Sequence, residues 1–150
     1  VFVLKMRKIG RAFFVLSVAA GMTVALQGSA SAASYTYRAT DVSGGPDWNQ
    51  LKACSYVNYN GEAGRACFQP NGDKFWVQDL KADGHHVEMN AQVNVNGNWY
   101  HCLNYHGKAA GWTSCSFATV VPENARIAYN VSVWEGDKLL RSGQLIAADT

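Results

Sequence analysis

The residues of this chain best suited to chemistry are its large rings. Trp76, Trp99, Tyr100, Tyr105 and Trp112 crowd into one stretch, with Trp134 further on. Flat aromatic faces stack on sugar rings and anchor protein partners without any covalent step. The first five are therefore the candidate ligand-binding residues. The competing use of the same rings is structural, with tryptophans closing the ends of a β-core.

Other reactive side chains are sparser. His85, His86, His101 and His106 would hold zinc or copper only if folding gathered them, and no carboxylate stands beside them at ligand spacing. Asp73, Asp79 and Asp83 surround Gly72 and Gly84, where oxygen-rich turns can take weak extracellular calcium. Turn aspartates more often bond their own backbone, so no metal and no cofactor is expected. There is no G-x-S-x-G, no H-E-x-x-H and no glycine-rich phosphate loop. Glycoside hydrolysis would need the fold to bring together a carboxylate pair such as Glu62 with Asp73 or Asp79. The expectation is a protein that is not an enzyme.

The cysteines carry architecture rather than reactivity. Cys54 and Cys67 are thirteen positions apart, and so are Cys102 and Cys115. Structural zinc wants two cysteines two to four residues apart, a spacing that is absent. An even cysteine count behind an export leader marks disulfides. A two-residue turn centred on Asn60-Gly61 sets Cys54 directly opposite Cys67. Opposed positions lie roughly 4.5–5.5 Å apart at Cα, inside bridging range. Cys102 and Cys115 flank the 105–111 loop in the same way. Of the three possible connectivities, Cys54–Cys67 with Cys102–Cys115 is the expectation, both within hairpins. Each closes a loop worth on the order of 3 kcal/mol.

The leader itself is Lys5, Arg7, Lys8 and Arg11, then an apolar run over 12–26, then Ala30-Ser31-Ala32 as a cleavage site. The run is about 15 residues, short for a span of about 20. Residues 1–32 read as a cleaved signal peptide and 33–150 as one secreted domain, with no membrane contact after cleavage. Four of the thirteen basic residues precede residue 33, leaving nine against eleven acidic ones, a net charge of −2. Nucleic acid needs a basic face and is excluded.

These residues must be positioned by strands. Residues 35–40, 51–60, 65–69, 74–80, 86–96, 98–104, 112–117, 125–135 and 138–147 form the extended segments. Val87, Met89, Ala91, Val93 and Val95 alternate with Glu88, Asn90, Gln92, Asn94 and Asn96, the mark of a half-buried strand. Ile127, Tyr129, Val131 and Val133 do the same. Glycine turns separate the segments and no helical period is sustained. The spacing predicts an all-β fold, an antiparallel β-sandwich or barrel of about eight short strands.

The stretch from Ala66-Cys67-Phe68-Gln69-Pro70-Asn71-Gly72-Asp73 through Lys74-Phe75-Trp76-Val77-Gln78-Asp79 to Lys81-Ala82-Asp83-Gly84 resembles a signature of small secreted actinobacterial proteins. Cys102-Leu103-Asn104, Gly107 and Trp112-Thr113-Ser114-Cys115-Ser116-Phe117 are similar to its second half. The resemblance covers 54–117 and implies export and a shared β-core. It carries over no catalytic residue, and Ser116 departs from the pattern.

The functional expectation is non-covalent recognition outside the cell by a monomer. The partner is an extracellular glycan or cell-envelope material met by the exposed aromatics. The alternatives are inhibition of a secreted hydrolase by the 105–111 loop, a purely structural role, and a small hydrolase. A coplanar row of exposed rings would favour sugar, a protruding loop inhibition, and a cleft with facing carboxylates an enzyme.

Overall fold

In the computed structural model, which describes residues 31–51 and 53–150, the alternating segments become strands. The expected leader lies outside the described residues, apart from Ser31 and Ala32. Residues from Ser31 to Thr150 form one unit. Eleven strands are present among the described residues: β1 (Ser34–Arg38), β2 (Thr40–Asp41), β3 (Cys54–Asn58), β4 (Glu62–Gln69), β5 (Lys74–Asp79), β6 (His86–Val93), β7 (Trp99–Asn104), β8 (Trp112–Ser116), β9 (Arg126–Glu135), β10 (Lys138–Ser142) and β11 (Ile146–Asp149). The expected all-β sandwich is therefore present, with more and shorter strands than the sequence marks out.

Two sheets face each other. One has six strands, ordered β1-β7-β6-β9-β10, with β11 also on β9; the other has five, ordered β2-β8-β5-β4-β3. Alternation delivers the core. Val87, Met89, Ala91 and Val93 of β6 and Ile127, Tyr129, Val131 and Val133 of β9 point inward against Phe68, Phe75 and Val77 of the opposite sheet. Burying a side chain of this kind contributes about 1.5–3 kcal/mol.

The β3–β4 hairpin follows the expected register. Cys54 pairs with Cys67, and Asn60 (φ 53°) and Gly61 (φ 103°) make the turn in the left-handed region that this connection demands. A bulge at Val57/Asn58 takes up one residue before the turn. The Cys54–Cys67 and Cys102–Cys115 bridges are both formed, and no free cysteine is left. Such bridges persist in oxidising compartments. Among the described residues no helix is long and apolar enough to cross a membrane.

Two expectations need correction. The Cys102–Cys115 bridge does not lie within a hairpin. β7 and β8 belong to different sheets, and residues 105–111 arch from one to the other. Cys102 and Cys115 therefore meet across the core, with Cα atoms 5.8 Å apart. The sandwich is also not wholly antiparallel. β1 pairs with β7 in parallel, while β2 pairs with β8 antiparallel. The arch reverses the chain between β7 and β8, whereas the β1–β2 crossing at Ala39 does not. One of the two pairings must then be parallel.

At the other edge, β10 lies along Ser132–Glu135 and β11 along Arg126–Tyr129 of β9. Between them the chain kinks at Gly143 toward β3. A Cβ there would stand 2.2 Å from the Tyr56 carbonyl oxygen, so only glycine allows the approach.

Candidate functional site

The two outer faces of the sandwich have opposite characters. On the six-stranded sheet, β6 turns His86, Glu88, Asn90 and Gln92 outward, because their neighbours fill the core. Register aligns them with outward residues of β7 and β9. Trp99 stands opposite Gln92, His101 opposite Asn90 and Asn90 opposite Asn130. Leu103 stands opposite Glu88 and Ser132 on its other side; His86 pairs with Trp134. The face is thus polar in its middle and aromatic at both ends.

The middle is a hydrogen-bonded network. His101 Nδ1 lies 2.7 Å from Glu88 Oε1 and 2.7 Å from Asn90 Oδ1. Asn90 Nδ2 donates to Ser132 Oγ at 2.8 Å, and Trp134 Nε1 donates to the same oxygen at 2.7 Å. Ser132 Oγ in turn donates to the Glu88 carbonyl at 3.3 Å. A hydroxyl accepts two bonds and donates one, so Ser132 is fully used.

Trp99 marks one end, 42% exposed and stacked 6.2 Å from His101 at 19°. Tyr105 marks the other, 51% exposed, its ring 4.3 Å from that of His86. His86 also stacks on Trp134 at 6.5 Å, and the Arg38 guanidinium lies 5.2 Å from the centre of the Tyr105 ring. Burial holds His86 below the ordinary imidazole range, against the pull of Glu88 and Asp137. It is a neutral ring in an aromatic ridge at pH 7.

The remaining predicted rings go elsewhere. Tyr100 is fully buried, stacked on Tyr35, with its hydroxyl donating to the Val120 carbonyl at 2.9 Å. It is a core residue, which takes it out of the candidate site. Trp76 and Trp112 do face outward, but on the five-stranded sheet. There they pack with the Cys54–Cys67 bridge, and Val42 and Leu51 cover them. Trp76 Nε1 donates to Gln69 Oε1, and the Arg65 guanidinium lies 4.6 Å over the Trp112 ring. Both are buried under the loop segment 42–51. That loop presents Trp48 instead, 60% exposed and edge-on to Trp112 at 5.9 Å.

The histidines do not converge. His85 lies against Tyr59, and His106 bonds the Ala39 carbonyl and lies 3.1 Å from Asp41. The His106 contacts tie the 105–111 arch to the β1–β2 crossing, so this connection is anchored rather than protruding. The turn aspartates are separated too. Asp73 and Asp79 lie at opposite ends of β5. Asp79 Oδ1 accepts from the Lys81 N–H and Asp83 Oδ1 from the His85 N–H, as turn aspartates do. Glu62 opens β4 and is far from Asp73, and no cleft joins the carboxylates among the described residues. No group of three metal-ligating side chains is present among those residues either.

Glu88, Asn90 and Ser132 were not singled out by sequence as site residues, and Trp134 was noted only as a further ring outside the five candidates. The available signal was parity: they share the outward face with Trp99 and His101 once the strands are aligned. Comparison with family models, with curated proteins and with solved structures finds no match to this chain.

Proposed function

We propose that this protein is exported and binds extracellular polysaccharide or cell-envelope glycan, without catalysis, through the outer face of its six-stranded sheet. The observation that carries this reading is the combination on one face of exposed Trp99 and Tyr105 with a fixed polar network between them. Aromatic faces stack on the apolar side of a sugar ring, and amide, hydroxyl and imidazole groups meet its hydroxyls. The covered Trp76 and Trp112 play no part. The export leader and both disulfides fit a protein working outside the cell.

The test is retention of the oxidised protein on insoluble polysaccharides and cell-wall material. Trp99→Ala with Tyr105→Ala is expected to abolish retention, with the circular-dichroism spectrum and melting temperature unchanged. Retention that survives the double substitution, or none on any matrix, overturns the assignment and directs attention to a protein partner.

A further inference from the structure

We propose that the face takes an internal stretch of a linear, neutral, extended polysaccharide, laid along β6 and β7, with His101 Nε2 as its central hydrogen-bond acceptor; this rests on the glycan-binding reading above. Three observations lead there. The first is that the face is open at both ends. Among the described residues no pocket closes over it, so nothing encloses a chain terminus. Sites that select chain ends are concave; an open face selects a run.

The second is length. Gln92, paired with Trp99, is six residues from His86 along β6. At about 3.3 Å per residue the two aromatic ends are roughly 20 Å apart. A disaccharide reaches one of them; only a longer chain reaches both. The polar groups between them are joined from His101 through Asn90 and Ser132 to Trp134. One continuous track therefore links the two stacking positions.

The third is charge and tautomer. The track itself is built from Gln92, Asn90, Asn130 and Ser132, all uncharged. Its one carboxylate, Glu88, is engaged by His101; Arg126 at the rim is 3.9 Å from Asp149, and the Arg38 guanidinium rests on the Tyr105 ring. That composition suits hydroxyl and acetamido groups better than uronate or phosphate. Glu88 Oε1 and Asn90 Oδ1 are both acceptors, so His101 Nδ1 carries hydrogen. In the neutral ring, Nε2 then holds the lone pair. The ring is 24% exposed and lies beside Trp99. Nε2 is thus placed to accept from a hydroxyl or amide N–H of the sugar stacked on Trp99. Of the charged or titratable groups on this face only Glu88 contacts His101; His86 and Arg38 lie at the far end, against Tyr105.

The experiment is calorimetric titration of the oxidised protein with cello- and chito-oligosaccharides of two, four and six rings, and with soluble hydroxyethyl cellulose and glycol chitin. The two series separate hydroxyl from acetamido recognition. Affinity is expected to rise by about tenfold or more from disaccharide to hexasaccharide in one series. Trp99→Ala and Trp134→Ala are each expected to remove most of that gain, and several protein molecules should bind each polymer chain. His101→Phe keeps a ring beside Trp99 but no acceptor, and should weaken hexasaccharide binding about tenfold. Affinity independent of length, one protein per polymer chain, or an unaffected His101→Phe overturns the internal-chain model. If matrices retain the protein while these results fail, only this inference falls. If nothing binds in either format, the glycan reading falls with it.

Discussion

Asp73 is predicted to make the protein less stable as the pH rises through about 6, and Asp73→Asn is expected to remove that loss. Asp73 is 2% exposed, and its Oδ1 has no hydrogen-bond partner. Burial, with repulsion from Glu123 behind it, pushes its carboxyl from 3.8 up to about 6. Between these values the folded protein holds a proton that the unfolded chain has lost. The resulting stabilisation is full below about pH 3.8 and is lost as the pH rises through about 6. Two pH units at 1.36 kcal/mol each set a ceiling of about 3 kcal/mol, and water reaching the turn lowers this to about 1–2 kcal/mol. Asparagine keeps the shape, stays neutral and tolerates the positive φ of 44° found here. It also keeps the backbone bonds from the Asp73 N–H to Pro70 and from the Phe117 N–H to the Asp73 carbonyl. Asp79 is also raised by burial and His86 is lowered, so their linkages have opposite signs. Both proteins carry them, and the difference cancels them. The assay is urea unfolding of the oxidised protein from pH 4 to 8. The variant should match the parent near pH 4 and exceed it by about 1–2 kcal/mol at pH 7.5. A difference that does not change with pH, or a variant less stable at pH 7.5, refutes the reasoning.

Three further outcomes follow from the packing. Gly143→Ala, whose Cβ would collide with the Tyr56 carbonyl, should cost more than about 2 kcal/mol in urea unfolding, whereas Gly44→Ala, with open space but φ 92°, should cost about 1 kcal/mol. Limited reduction followed by peptide mapping should open Cys54–Cys67 first, since Cys54 is partly exposed and the Cys102–Cys115 bridge is buried in the core; simultaneous opening would contradict this. Tyr100→Phe should lower stability by about 1 kcal/mol through loss of its bond to Val120 and leave glycan retention intact. A loss of retention without loss of stability would put Tyr100 back on the binding face.

The core was readable in advance because alternation is a local property. Val87, Met89, Ala91 and Val93 declare their shared face within eight residues, and Asn60-Gly61 marks the hairpin that opposes Cys54 to Cys67, the bulge at Val57/Asn58 taking up the extra residue of the 59–61 loop. The arch over 105–111 was not readable, because a hairpin and a sheet-to-sheet crossing can have the same length. Yet the bridge itself holds a clue. A cysteine bonded across the core faces inward, so Tyr100, two residues from Cys102, must face inward with it. Alternation does place Trp76 outward, opposite Phe75 and Val77. It is silent on the loop segment 42–51 that folds back over Trp76 and Trp112 and buries them.

That asymmetry between the faces bears on what the open one is for. The five-stranded sheet hides Trp76 and Trp112 beneath a loop and beside a disulfide, and its exposed Tyr56 has no such polar network around it among the described residues. The six-stranded sheet leaves Trp99 and Tyr105 uncovered, yet it holds the polar side chains between them in fixed orientations. Glu88 is largely buried, Asn90 and Trp134 are both locked onto Ser132, and His101 is held by two acceptors. Fixing such side chains costs conformational entropy, and polar pairs at a surface return little stability for it. Side chains that only face water have no need of that order. A binding face does, because a ligand meeting groups already in place does not have to order them itself.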